Sequence, residues 1–107
     1  MIYTVVVTDT AKQDLRNIAT WIMEQSEDVK IARRFVHELR IGCQKLQSFP
    51  DRGALPKDRI LKSMGYRFIV YKEYLVFYLT DNESNTVTIM AIFNSKRDYM
   101  RVMRKFL

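Results

Sequence analysis

The sequence predicts an α+β domain: an amino-terminal strand, an α-helical hairpin, a three-stranded antiparallel meander and a short carboxyl-terminal helix. Three observations predict it. Apolar residues recur at helical spacing through the first half of the chain, and after Gly65 the period changes to two. Between these halves, residues 50–65 hold both prolines and two of the 3 glycines. A helical hairpin laid on one face of a mostly antiparallel sheet of about four strands buries both patterns together.

Residues 2–7 are short and rich in Val, Ile and Tyr, which predicts a strand. Thr8, Asp9 and Thr10 then offer capping side chains, and Thr10 with Gln13 fits the reciprocal capping-box spacing. Ala11, Leu15, Ile18 and Ile22 step four-three-four along one face of a helix ending near Gln25, with Trp21 and Met23 widening or flanking that face. Ser26, Glu27 and Asp28 supply a cap and an acidic first turn for a second helix. Its stripe is Ala32, Val36, Leu39, Cys43 and Leu46, with Phe35 alongside, and it ends at Phe49-Pro50.

Residues 50–65 read as a loop with one short extended piece. Tyr66, Phe68 and Val70 then alternate with Arg67, Ile69 and Tyr71, and Lys72-Glu73 is a hairpin connection. Residues 74–80 are almost continuously apolar, as in a central strand covered on both faces. After the polar turn 81–85, Val87, Ile89, Ala91 and Phe93 share one face of a last strand. Asp98 caps a final helix reaching Met103 or Lys105.

With 107 residues and no linker or repeat, residues 1–107 form a single domain. The amino terminus lacks the basic stretch of a secretory signal, and no apolar run approaches a membrane span, so a cytoplasmic protein is expected. One cysteine and one histidine leave no cysteine-based metal cluster, and neither metal nor cofactor is expected. Cys43 falls on the apolar stripe and reads as core, while His37 reads as a surface or half-buried structural residue.

The formal charge of +6 is unevenly spread. Lys30, Arg33, Arg34, Arg40 and Lys45 outnumber Glu38 in the second helix, and Lys96, Arg97, Arg101, Arg104 and Lys105 outnumber Asp98 at the carboxyl end. Such clusters suit a polyanion or an acidic protein segment, and a solvated face is the plain alternative.

Several stretches, in this order, resemble the RelE/ParE superfamily of toxins from type II toxin–antitoxin systems. They are Thr8-x-x-Ala11-x-x-Asp14-Leu15-x-x-Ile18, Ala32-Arg33-Arg34-Phe35, and Phe49-Pro50-Asp51-Arg52-Gly53. Gly65-Tyr66-Arg67, Tyr74-Leu75-Val76-Phe77-Tyr78 and Ile92-Phe93-Asn94-Ser95-Lys96-Arg97-Asp98-Tyr99 complete the set. The resemblance implies a small bacterial protein that arrests growth unless its cognate antitoxin binds it. It also implies a heteromeric complex with that antitoxin, which would wrap the concave face of the sheet, and a link to plasmid stabilisation.

Within the superfamily, some members cleave messenger RNA on the ribosome and others inhibit DNA gyrase without being enzymes; a shared fold does not choose between them. If the chain is RelE-like, Arg67, Lys96, Arg97 and Tyr99 are the expected catalytic residues, with Asp98 within reach, provided that adjacent strand ends come together. Two departures count against the nuclease branch, and the first, the strand run around Leu75, looks more like the gyrase-directed one. Leu75 stands where nuclease members carry an arginine, and Asn94 stands in a segment where many relatives have a histidine. The reading therefore leans to gyrase inhibition, with ribosome-dependent mRNA cleavage as the alternative and a non-toxic RNA- or ribosome-binding module as a third.

Overall fold

The computed structural model describes residues 2–107, and its first strand, β1 (Thr4–Val7), is two residues shorter than expected. Thr8 ends it and starts α1 (Asp9–Ser26): its backbone is extended and its hydroxyl accepts from the Ala11 N–H at 3.1 Å. Thr8, not Thr10, is thus the cap, because the side chain must sit outside the helix to meet an unpaired N–H of the first turn. The same hydroxyl donates to the Ile89 carbonyl at 2.8 Å, tying the helix start to the sheet.

Glu27, in the left-handed region at φ 56°, closes α1. Asp28 caps α2 (Val29–Gln44) through the Lys30 N–H at 2.8 Å. The acidic residues before α2 stand outside it, so its first turn carries no acid of its own. A 3-10 turn, Lys45–Gln47, extends α2 and buries Leu46. Trp21 and Met23 flank the α1 stripe and face solvent.

The segment 50–65 departs from expectation. It contains a helix, α3 (Arg59–Ser63), capped by Asp58, whose carboxylate accepts from the Leu61 N–H at 3.0 Å. Five residues are too few for an apolar period to register, and only Leu61 is buried. The expected extended piece is the bridge between Ala54 and Phe68.

Strands β2 (Arg67–Tyr71), β3 (Tyr74–Asp81) and β4 (Thr86–Asn94) form the meander, and the four-stranded sheet has the order β1-β4-β3-β2. β1 lies parallel to β4 and the other pairs are antiparallel. β3 is the central strand expected, with Val76, Phe77 and Tyr78 at or below 1% exposure. The α1–α2 hairpin packs Ala11, Leu15, Ile18, Leu39, Cys43 and Leu46 against Tyr74, Val76, Tyr78, Val87, Ile89 and Ile92. On the opposite face Phe77, Ala91 and Phe93 meet Tyr66, Leu61 of α3 and Met103 of α4 (Tyr99–Met103).

One alternation is therefore broken. Val87 and Ile89 face the hairpin, but Ala91 and Phe93 face away. The pairing passes from Phe77↔Ala91 to Tyr78↔Ile89 and skips Met90. A bulge of one residue reverses the faces of everything beyond it, which strict period-two reasoning misses. Among the described residues, no helix is long and apolar enough to cross a membrane.

Candidate functional site

Arg67 opens β2 opposite Tyr78, and directly opposed residues share a face, here the hairpin side. Its guanidinium donates to the Gly53 carbonyl at 2.9 Å and stands 3.9 Å from the Asp51 carboxylate. The Tyr78 hydroxyl completes the knot: it accepts from the Gly53 N–H at 3.0 Å and donates to the Pro50 carbonyl at 2.7 Å. A side chain at Gly53 would come within 2.9 Å of the Phe68 carbonyl oxygen, so the close approach requires glycine. Burial pushes the Tyr78 phenol above its ordinary value. Arg67 thus holds the loop after α2 onto the sheet.

The residues after β4 form a tight corner. Ser95 donates its N–H to the Glu73 carbonyl at 2.7 Å, and the Lys96 and Arg97 N–H groups return to the side chain and carbonyl of Asn94 at 2.9 and 3.1 Å. The side chains of Lys96 and Arg97 are left exposed. Asp98 caps α4 through the Met100 N–H at 3.1 Å. Tyr99 stacks on Phe77 with ring centroids 5.9 Å apart, and its hydroxyl accepts from the Asp58 N–H at 3.2 Å. Tyr99 therefore joins α4 to the start of α3 on the face away from the hairpin.

The four candidates do not share one surface. In a meander the first and third strands run the same way, so the start of β2 and the end of β4 lie at opposite ends of the sheet. Arg67 pairs with Tyr78 and Asn94 with Tyr74 on the same strand; at ~3.3 Å per residue, these levels are roughly 13 Å apart. The expectation that adjacent strand ends bring Arg67 beside Lys96 and Arg97 does not hold. Lys96, Arg97 and Tyr99 are neighbours in sequence, but Tyr99 is turned onto Phe77. Leu75 lies on that same covered face.

Asp14 is a polar residue whose role the periodicity did not suggest. β1 stops at Val7, so β4 has no strand partner on that side beyond Ile89. Asp14 fills the gap by accepting from the Ile92 N–H at 2.9 Å. Burial raises its carboxyl above the ordinary range, while this hydrogen bond and the charges of Lys105 and Arg97 pull the other way. Its signal was its place in the Thr8–Ile18 stretch. Cys43 is buried in the core, with its thiol pushed up to about 11 by burial, and His37 is exposed. Among the described residues no group of three His, Cys, Asp or Glu side chains is placed to hold a metal ion.

The profile of the family described as "ParE toxin of type II toxin-antitoxin system, parDE" matches residues 5–99. The chain belongs to this ParE toxin family.

Solved structures agree on the fold of this ParE-family toxin. A chain of the chromosomal ParDE system from P. aeruginosa aligns with TM-score 0.72 at 16% identity, covering 87% of this chain and 96% of that one. A chain of the RelBE2 toxin–antitoxin complex from Mycobacterium tuberculosis gives 0.62 at 22% identity, over 88% and 99%. A mutant of the E. coli toxin RelE in the free state gives 0.66 at 12% identity, over 100% of both chains. At such identities the likeness is one of fold. No curated protein sequence matches the chain. On the sheet face away from the hairpin, the ParE-family toxin packs its own carboxyl-terminal segment: Met100, Val102 and Phe106 border that cluster, and Met103 is fully buried within it.

Proposed function

We propose that this ParE-family toxin arrests growth by inhibiting DNA gyrase in the cytoplasm and is held inactive by a cognate antitoxin protein. The observation that carries the choice of target is the separation of Arg67 from Lys96, Arg97 and Tyr99. Metal-independent RNA cleavage needs groups that activate the 2′-hydroxyl, protonate the leaving oxygen and stabilise the phosphorane around one phosphate. Here the Arg67 guanidinium is engaged by Gly53 on the hairpin side, whereas the Tyr99 ring lies against Phe77 on the other. Leu75 and Asn94 support the same choice, since neither brings a cation or an imidazole to the meander. Exposed cations on α2 and after β4, with a net charge of +6, suit an acidic antitoxin segment. The structural relatives include a chain solved in a toxin–antitoxin complex and one from a chromosomal ParDE system.

Brief induction in bacteria lacking the antitoxin tests the target, with labelled thymidine and methionine incorporation followed in parallel. Early loss of thymidine incorporation while translation continues is the expected result. Early loss of methionine incorporation would instead favour ribosome-dependent mRNA cleavage and make Arg67, Lys96, Arg97 and Tyr99 the catalytic residues to substitute. Growth without any arrest would leave the non-toxic RNA- or ribosome-binding reading.

A further inference from the structure

Two short helices cover the sheet face away from the hairpin. Leu61 of α3 and Met103 of α4 are fully buried there. Tyr99 joins the two helices by accepting from the Asp58 N–H at 3.2 Å. What this layer turns outward is almost wholly basic. Lys57, Arg59 and Lys62 are exposed in and just before α3. Lys96 and Arg97, at the corner after β4, are exposed as well, as are Arg101, Arg104 and Lys105 in α4 and the 3-10 turn that follows it.

Within residues 57–62 and 96–105, eight cations stand against two acids, an excess that equals the formal charge of +6 of the whole chain. The rest of the protein is therefore balanced. The two acids are engaged as helix caps: the Asp58 carboxylate accepts from the Leu61 N–H at 3.0 Å, and that of Asp98 from the Met100 N–H at 3.1 Å. Among the described residues none of the eight cations makes an ion pair. Like charges gathered on one layer repel one another, and a bound polyanion relieves that repulsion while releasing its own counterions.

The rings of this face select the kind of polyanion. Single-stranded nucleic acid is held in large part by bases stacked on exposed aromatic side chains. Here Tyr66, Phe77 and Phe93 are buried, and Phe68 and Tyr99 stack on Phe77 with centroids 5.2 and 5.9 Å away. The Lys105 ammonium lies over the Phe106 ring at 5.3 Å. What remains outside is lysine and arginine, which hold phosphates without reading bases.

We infer that the layer of α3 and α4 binds the phosphate backbone of duplex DNA, and the inference rests on the gyrase reading above. DNA gyrase handles duplex DNA, so a toxin seated on the enzyme has that polyanion beside it. Its grip on the duplex is independent of base sequence and weakens steeply with salt.

The test measures binding of the full chain to a labelled, mixed-sequence DNA duplex across a salt series, with no gyrase present. The logarithm of affinity is expected to fall with that of salt by about 0.9 per phosphate contacted, a slope of roughly −4 to −6. Arg59→Gln with Lys62→Gln on α3, and Arg101→Gln with Arg104→Gln on α4, each remove two cations. Each pair is expected to weaken binding at least about tenfold at low salt and to flatten the slope by about 2. Lys30→Gln with Arg33→Gln removes the same charge from exposed positions of α2, on the hairpin side, and is expected to change neither. Absence of duplex binding, or an equal loss in the α2 variant, overturns the surface. A single-stranded RNA or a polyglutamate of the same charge that binds as tightly overturns the duplex assignment. All the substituted side chains are exposed and the two helices are tested separately, so a variant that does not fold leaves the other to decide. Failure here together with early loss of thymidine incorporation leaves the gyrase reading standing. Duplex binding together with early loss of methionine incorporation overturns the gyrase reading and leaves the surface.

Discussion

Replacing Tyr78 with phenylalanine removes one oxygen from the interior and nothing else. That oxygen satisfies the Gly53 N–H and the Pro50 carbonyl, at 3.0 and 2.7 Å, from a side chain with 0% exposure. Gly53 is itself buried, with the Phe68 carbonyl and the Tyr78 ring packed closely around it. A buried donor left without a partner costs about 1–3 kcal/mol, and the Pro50 carbonyl adds about 1 kcal/mol because water reaches it more readily. The expected loss is therefore about 2–4 kcal/mol, a sizeable part of the ~5–15 kcal/mol of a typical domain. For a chain of this size that lowers the melting temperature by roughly 10–20 °C. Urea unfolding at neutral pH measures it directly, and native-state hydrogen exchange locates it. Exchange at Gly53 is expected to accelerate while amides in α1 change only with global stability. A loss below about 0.5 kcal/mol, with Gly53 exchange unchanged, would refute the claim that the loop is fastened at this point.

Three further perturbations probe other parts of the molecule. Burial holds the Cys43 thiol protonated, with a pKa pushed up to about 11, so at pH 8 a thiol reagent is expected to label the native protein at least about a hundredfold more slowly than the urea-unfolded chain; comparable rates would contradict its place in the core. Met103→Ala empties a fully buried site between the sheet and α4, and is expected to cost about 2–4 kcal/mol and to speed hydrogen exchange from Tyr99 to Phe106, measured by mass spectrometry. The Asp14 carboxyl is raised from 3.8 chiefly by burial. The fold therefore favours its protonated form, and that contribution is complete below the unfolded value and lost as pH rises through the folded one. Asp14→Asn keeps an acceptor for the Ile92 N–H, so wild type is expected to gain on the variant as urea midpoints are followed from pH 6 down to about 3. A wild type that loses ground on acidification would reverse the sign.

Much of the fold was legible because burial writes long periods into a chain. The stripes Ala11–Ile18 and Ala32–Leu46 repeat over several turns, and the continuous run in β3 has no solvent-facing side to interrupt it. Short or irregular features left no such trace. α3 has one buried residue and sits among loop residues, so its only sign was a cap, Asp58, without a period behind it. The bulge at Met90 changes the face of Ala91 and Phe93 without changing the pattern of letters. The parallel pairing of β1 with β4 follows from where α1 and α2 return the chain, which single residues do not encode. The candidate site was legible as residue types but not as geometry, because the distance between Arg67 and Arg97 depends on strand direction across the whole meander.

The residues that carry the family likeness also separate fold from target. Thr8 joins α1 to Ile89, Asp14 closes the open side of β4 at Ile92, Gly53 and Arg67 fasten the loop after α2, and Asp98 starts α4. Apart from Asp98, which pairs an N–H of its own helix, each is a polar or glycine position where backbone groups of two elements would otherwise be left unpaired, and such positions tolerate little change. Their contacts serve the fold, whatever the toxin strikes. Residues that choose a target must be free to point outward. In this chain the exposed cations Lys96 and Arg97 and the exposed cations of α2 are not committed to holding the sheet together. Substitutions there are expected to alter growth arrest or antitoxin affinity while leaving stability within about 0.5 kcal/mol. A substitution at Thr8, Gly53 or Arg67 is expected to reduce both functions together through loss of the folded chain.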